Sequence, residues 1–154
     1  MIEVYENVFV GNQKDFEDIK LKDGWVFILA AKEPWHREAL GYKGRKAPPG
    51  GEYFYARRGN RLILNLVDAE DPKYIPGEIF RVALAAIDAR GDKKVLIACN
   101  QGRSRAPGIA FAWMKKEGLL GNECFKKFKS IYGEFEPNRG IREYLGIPEN
   151  ALGG

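Results

Sequence analysis

Val95-Leu-Ile-Ala-Cys-Asn-Gln-Gly-Arg-Ser-Arg105, running straight into the apolar segment Ala106 to Lys116, decides how this chain folds. Val95 to Ala98 is a short continuous apolar run, the pattern of a strand buried on both faces of a sheet. Ala106 to Lys116 carries Ile109, Ala110, Phe111, Ala112, Trp113 and Met114, apolar nearly all round, and reads as a helix packed in the core. Pro107 falls in its first turn, where proline costs nothing, and Gly118 is placed to stop it. Between strand and helix lies a loop with a thiol, Cys99, at one end and a guanidinium, Arg105, at the other. Consecutive backbone amides of such a loop can face its concave side, and the helix N-terminus adds positive potential, so the loop can cradle an anion. Gly102 lets the backbone turn sharply at its middle. Arg105 can grip two phosphate oxygens with its planar fork, and the same field favours a thiolate at Cys99. A thiolate beneath a clamped phosphate is a nucleophile in position.

Working outward, Trp25-Val-Phe-Ile-Leu-Ala-Ala31 and Leu62-Ile-Leu-Asn-Leu-Val67 are two more core-strand patterns. Glu52 to Ala56 and Arg61 to Val67 flank Arg57-Arg58-Gly59-Asn60, and a Gly-Asn pair between β-prone runs predicts a hairpin. From Pro76 to Ala89 the residues Ile79, Val82, Ala83, Ala86 and Ile87 recur at helical spacing, which predicts an amphipathic helix ended by Gly91-Asp92. A helix over Asn122 to Ile131 follows, and Pro137-Asn-Arg-Gly140 turns the chain into a last short helix through Ile141 to Leu145. Gly41 to Gly51 interleaves glycine and proline with Lys43, Arg45 and Lys46 and reads as a surface loop. Buried strands alternating with helices predict an α/β fold, a central and largely parallel sheet flanked by helices. Ligands of such folds bind beyond the carboxyl ends of the strands, where Cys99 falls.

Composition sets the outer bounds. At 154 residues, with 45% hydrophobic and 12% aromatic residues, the chain fits one domain spanning 1–154, and disorder is excluded. Twenty-five Lys and Arg against 21 Asp and Glu give +4, which favours anionic partners without the dense basic stripe of a dedicated nucleic-acid binder. Two cysteines, Cys99 and Cys124, are too few for a bridge-dependent secreted domain, so a reducing, cytoplasmic setting is expected. The one histidine, His36, and two distant cysteines cannot cluster as a structural zinc site; no metal and no cofactor are expected. Met1 to Val10 carries Glu3 and Glu6 in place of a leader's basic region, and the longest apolar run, Trp25 to Ala31, is too short to cross a bilayer. A soluble monomer is the expectation.

The loop closely resembles the signature of the cysteine-dependent protein tyrosine phosphatase superfamily, in particular the compact dual-specificity phosphatases. The resemblance extends to Val8-Phe-Val-Gly-Asn12, similar to that family's opening strand and turn, to Val26–Ala31, and to Pro137-Asn138-Arg139-Gly140. It spans nearly the whole chain apart from Gly41 to Gly51, which looks like an insertion. It implies a phosphoric monoester hydrolase working through a cysteinyl-phosphate: Cys99 as nucleophile, Arg105 as phosphate clamp, and Asn100, Gln101, Gly102, Arg103, Ser104 and Arg105 binding the phosphate. It also implies an upstream aspartate as general acid, and Asp68 in Leu64-Asn-Leu-Val-Asp68 sits in the matching place, with Asp71 in reserve. The expected partners are a phosphorylated protein (on tyrosine, serine or threonine) or a small phosphomonoester. The family usually has His before the nucleophile and Ser or Thr after the arginine, where this chain has Ala98 and Ala106. The missing hydroxyl is expected to slow breakdown of the intermediate, with Ser104 a partial substitute.

Each feature has a plainer reading. Cys99 competes with a buried structural thiol, Asp68 with a loop-capping aspartate. Cys124 and His36 read as structural, and Trp35 and Tyr42 as core residues before pocket walls. Lys32, Arg37, Lys43, Arg45, Lys46, Arg57 and Arg58 are either a solvated face or a crevice mouth that steers anions. Rival functions are a pseudophosphatase that reads a phosphorylated partner, a phosphatase acting on phospholipid or RNA 5′-phosphate, and a sulfur transferase of the rhodanese type.

Overall fold

The apolar runs assemble into one six-stranded mixed sheet in the computed structural model, which describes residues 1–152. In chain order the elements are β1 (Ile2–Tyr5), β2 (Val8–Gly11), α1 (Gln13–Ile19), β3 (Trp25–Leu29), α2 (Arg37–Leu40), β4 (Tyr55–Arg58) and β5 (Arg61–Leu64). Then follow α3 (Gly77–Asp88), β6 (Lys94–Ala98), α4 (Arg105–Lys116), α5 (Cys124–Ile131) and α6 (Arg139–Tyr144). The strand order is β1-β2-β6-β3-β5-β4. The inner pairings β2–β6, β6–β3 and β3–β5 are parallel, while β1 and β4 close the two edges antiparallel. The expected largely parallel sheet is therefore present, and β4–β5 is the expected hairpin, turning through Gly59-Asn60 with Gly59 at φ +60°.

The continuous apolar strands are explained by burial on both faces. Along β6, Val95 and Ile97 face one core with Ile79, Ile109, Phe111 and Phe128, while Leu96 and Ala98 face the other with Phe16, Phe27 and Trp35. The first core lies under α3, α4, α5 and α6; the second lies under α1 and the turn Lys32–His36. α4 is apolar all round because it is enclosed between β2 and β6 on one side and α3 and α5 on the other. A Cβ at Gly108 would stand 2.9 Å from Ile141 Cγ2, so glycine permits the close passage of α6. Phe111, Phe128 and Phe135 meet with ring centroids 5.2–5.9 Å apart, each such pair adding about 0.5–1.5 kcal/mol beyond area burial.

Three pieces carry weak sequence signals. β1 has an exposed face, with Ile2 and Tyr5 open to solvent, so it lacks a buried run. α1 buries only Phe16 and Ile19, and its start is set by a capping box between Asn12 and Asp15. α2 is a single turn ended by Gly41 in the left-handed region. Residues 41–54 carry neither helix nor strand. They are fastened by His36, which is fully buried: Nε2 donates to the Glu52 carbonyl (2.8 Å) and Nδ1 accepts from the Tyr42 hydroxyl (2.9 Å). Burial holds the imidazole below its ordinary value, the Glu52 carbonyl partly opposing this, so His36 is neutral and structural. Among the described residues no helix is long and apolar enough to cross a membrane.

Candidate active site

The parallel strands β2, β6, β3 and β5 end together at Gly11, Ala98, Leu29 and Leu64, and the loop from Cys99 to Arg105 rises from this edge. Gly102 sits at φ +71°, and a Cβ there would stand 3.0 Å from both the Gly11 carbonyl oxygen and the Tyr132 hydroxyl. Conformation and space both demand glycine.

Four of the loop's carbonyls are hydrogen-bonded. Asn100 O accepts from Gln13 N (3.3 Å), Gly102 O from the Tyr132 hydroxyl (2.6 Å), Arg103 O from Glu136 N (2.8 Å) and Ser104 O from Gly108 N (2.9 Å). Burial pushes the Tyr132 phenol well above its ordinary value, with Glu134 and Cys99 adding to the effect, so it remains a proton donor to Gly102. By contrast, among the hydrogen bonds of the described residues none has a backbone amide of residues 100–104 as its donor. A loop whose carbonyls are bonded to its neighbours and whose amides are left over is built to receive an oxyanion.

Cys99 is buried, and its sulfur accepts from the Ala106 amide at 3.4 Å, within the first turn of α4. Arg105 is oriented by two bonds, Nη1 to the Leu66 carbonyl (3.1 Å) and Nη2 to Asn100 Oδ1 (2.6 Å). Its Nε is buried without a partner among the described residues. A buried guanidinium nitrogen left unpaired is costly unless a ligand satisfies it. Asn100 is a hub, its Nδ2 also reaching Gln13 Oε1 (3.1 Å) and the Glu33 carbonyl (3.0 Å). Gln101 is exposed, and Arg103, also exposed, lies 3.6 Å from Glu136, so the protein already offsets much of its charge.

The two aspartates are separated by what they do. Asp71 Oδ1 caps the turn Pro72–Tyr74 by accepting from Lys73 N (2.9 Å), its other oxygen lying 3.9 Å from Lys73 Nζ. Asp68 is exposed, and among the described residues its carboxylate has no hydrogen bond or ion pair. Its backbone is tied to the phosphate-loop side: Asn138 Nδ2 donates to the Asp68 carbonyl (3.0 Å) while Asn138 N donates to Ser104 Oγ (2.9 Å). Gly140 N bonds Ala69 O at 3.0 Å, and a Cβ at Gly140 would lie 2.0 Å from that oxygen. The Pro137-Asn-Arg-Gly140 turn is thus the clamp between the aspartate segment and the loop. Ser104, considered as a substitute for the missing hydroxyl, has its oxygen engaged by Asn138. Ala98 and Ala106 are fully buried among apolar neighbours.

Of the basic set, Arg37 pairs with Glu33 and Arg58 with Glu52, both at 2.6 Å. Lys32 instead stands at the crevice: its amide donates to Leu66 O, the carbonyl that also receives Arg105, and its ammonium bonds the Arg45 carbonyl. Trp35 is a core residue, packed edge-on against Phe16. Cys124 lies at the start of α5, packed against the larger core. Sequence reasoning did not find Gln13, Tyr132 or Asn138 as positioning residues, and only Asn138, inside its Pro-Asn-x-Gly turn, carried a local signal. Among the described residues no group of three or more His, Cys, Asp or Glu is placed to hold a metal ion.

The sequence matches no family model and no curated protein. Solved structures do match it over nearly its full length. Human DUSP28 superposes with a TM-score of 0.64 at 21% identity, covering 99% of this chain and 98% of that one. The chain has the fold of the compact dual-specificity phosphatases. A mouse putative dual specificity phosphatase, solved with zinc tungstate, gives 0.63 at 22% identity over 97% of this chain and 86% of its own. The human tyrosine phosphatase-like serine/threonine/tyrosine-interacting protein gives 0.61 at 21% identity, covering 99% and 97%. At these identities the dual-specificity likeness is one of fold, and the chemistry must be argued from the residues.

Proposed function

We propose that the protein is a phosphoric monoester hydrolase that acts on phosphorylated tyrosine, serine or threonine side chains, or on small phosphomonoesters, through a cysteinyl-phosphate. The observation that supports it best is the loop of residues 99–105, with four of its carbonyls bonded, its backbone amides left over and the buried Nε of Arg105 unpaired among the described residues. The amides and Arg105 hold the equatorial oxygens, where charge is organised in the transition state. The Cys99 sulfur attacks phosphorus; the S–P bond forms as the P–O bond to the leaving group breaks, and Asp68 gives its proton to the departing oxygen. Water then attacks phosphorus, Asp68 takes the proton, and the thiolate leaves with inorganic phosphate as product. The Ala106 amide stabilises that departing thiolate in place of a side-chain hydroxyl. Thiol chemistry of this kind suits a reducing cytoplasm.

The test is a phosphate-release screen of the native protein against aryl phosphates and phosphotyrosine and phosphothreonine peptides. Release that is lost on alkylation of Cys99 is the expected result. The competing reading, a non-catalytic phosphate reader, draws on Ala98, Ala106 and the likeness to a tyrosine phosphatase-like interacting protein. It is established by phosphopeptide binding without release. Failure to release phosphate from any aryl phosphate overturns the enzymatic reading.

A further inference from the structure

Next to the phosphate loop, the segment after β5 forms one wall of a groove of about 410 Å³. The wall begins at Val67, the residue following the carbonyl that receives both Arg105 and the Lys32 amide, and continues through Ala69 and Glu70, so that Asp68 stands between two wall residues. The groove therefore lies beside the candidate active site, its lining residues Asn65 and Val67 flanking the carbonyl that Arg105 holds. Phe54, Val67 and Tyr74 leave apolar surface open to solvent along it, Tyr74 at 61% exposure, and Lys32 and Lys46 also line it. Exposed aromatic surface at the rim of a crevice is the kind that marks a contact site. Lys43, Arg45 and Lys46 follow closely on one loop, and among the described residues none of them has an acidic partner within ion-pair distance. That loop is fastened beside the crevice by the bond from Lys32 to the Arg45 carbonyl and by Arg37 to the Tyr42 and Gly44 carbonyls (3.0 and 2.7 Å).

From this we infer that the groove takes the chain of a phosphorylated peptide beside its phosphoresidue, seating a large apolar side chain on Phe54, Val67 and Tyr74 and an acidic one against Lys46 and its loop. The inference rests on the phosphatase reading and names its substrate class. Both signs of charge line the groove: Glu70 and Asp71 repel a continuous run of phosphates, which disfavours a nucleic acid, whereas a peptide with an apolar and a single acidic residue suits the apolar surface and Lys46. Main-chain positioning by a groove with two side-chain preferences is how extended peptides are usually told apart.

The test compares kcat/KM of the native protein on phosphotyrosine and phosphothreonine peptides scanned with Leu, Asp, Ala and Lys at the flanking positions, with p-nitrophenyl phosphate as a substrate that does not reach the groove. On one side of the phosphoresidue, Leu and Asp are expected to outrun Ala and Lys by about tenfold, as one well-seated contact provides. Lys46→Glu and Tyr74→Ser, both at exposed positions, remove the Asp and Leu preferences respectively and leave the p-nitrophenyl phosphate rate within about twofold. Equal rates across the peptides, preferences that survive both substitutions, or faster release from a phosphoinositide or a 5′-phosphorylated RNA than from every peptide overturns the inference. If the native protein turns over nothing, the catalytic reading has failed and the groove is judged by affinity. The same peptides, fluorescently labelled, then bind with a Kd ratio of about tenfold between Leu/Asp and Ala/Lys flanks, and equal Kd values overturn it.

Discussion

Cys99→Ser abolishes phosphate release, lowering the rate by about 10⁴-fold or more, while the protein still binds phosphopeptides. On the proposed mechanism the Cys99 sulfur is the group that attacks a phosphorus held by the loop amides and Arg105. A serine hydroxyl stays protonated at neutral pH, and among the described residues the hydrogen-bond partner of the residue 99 side chain is the Ala106 amide, a donor and not a base. The rest of the cup is held from outside, by Gln13, Tyr132 and Asn138, through bonds that do not involve the thiol. Phosphate release and calorimetric titration of the same variant separate the two properties. A variant that keeps a measurable share of the native rate moves the chemistry elsewhere, and one that loses both turnover and binding shows that residue 99 holds the loop together.

Asp68→Asn gives the second large effect, a fall in kcat of about 10²- to 10⁴-fold on phosphothreonine peptides, the usual contribution of a positioned acid. An alkoxide leaving group needs a proton as its bond to phosphorus breaks, whereas p-nitrophenolate is a stable anion, so the loss on p-nitrophenyl phosphate is expected to be smaller. Asp71→Asn supplies the contrast. Its side chain caps the Pro72–Tyr74 turn, and asparagine keeps an oxygen that accepts from Lys73 N, so the substitution is expected to cost little stability and to leave kcat nearly unchanged. Steady-state kinetics of the two variants on both substrates decide between the aspartates; the opposite ranking makes Asp71 the acid.

The sheet and its helices were readable because burial leaves a direct trace in the sequence. β3, β5 and β6 are buried on both faces and so appear as unbroken apolar runs, and α4, enclosed on every side, is apolar all round. β1 and α1 left a fainter trace because each buries little. The same logic applies to the site. Cys99, Gly102 and Arg105 were visible since a loop between a strand and a helix fixes their relation locally. Tyr132, Gln13 and the Asn138 clamp act across the tertiary structure, joining positions far apart in the chain, and no local pattern announces that Tyr132 will meet the Gly102 carbonyl. The difference between Asp68 and Asp71 likewise lies in the turn that engages the Asp71 side chain, a contact the sequence does not announce. The question over the basic residues resolved only once pairing was visible: Arg37 and Arg58 are neutralised by glutamates, whereas Lys32 and the loop it fastens flank the crevice.

The departures at Ala98 and Ala106 bear on the second half of the reaction. On the proposed mechanism the departing sulfur meets the Ala106 amide and no side-chain hydroxyl from residue 106, so breakdown of the intermediate is expected to be the slower step and the intermediate to accumulate. The decisive measurement is therefore acid quenching of the native protein during turnover of an aryl phosphate, followed by mass spectrometry of the peptide that contains Cys99. The account predicts that this peptide carries one added phosphoryl group on its sulfur, formed in a burst as the first product is released. Steady turnover with Cys99 unmodified at every quench time contradicts it.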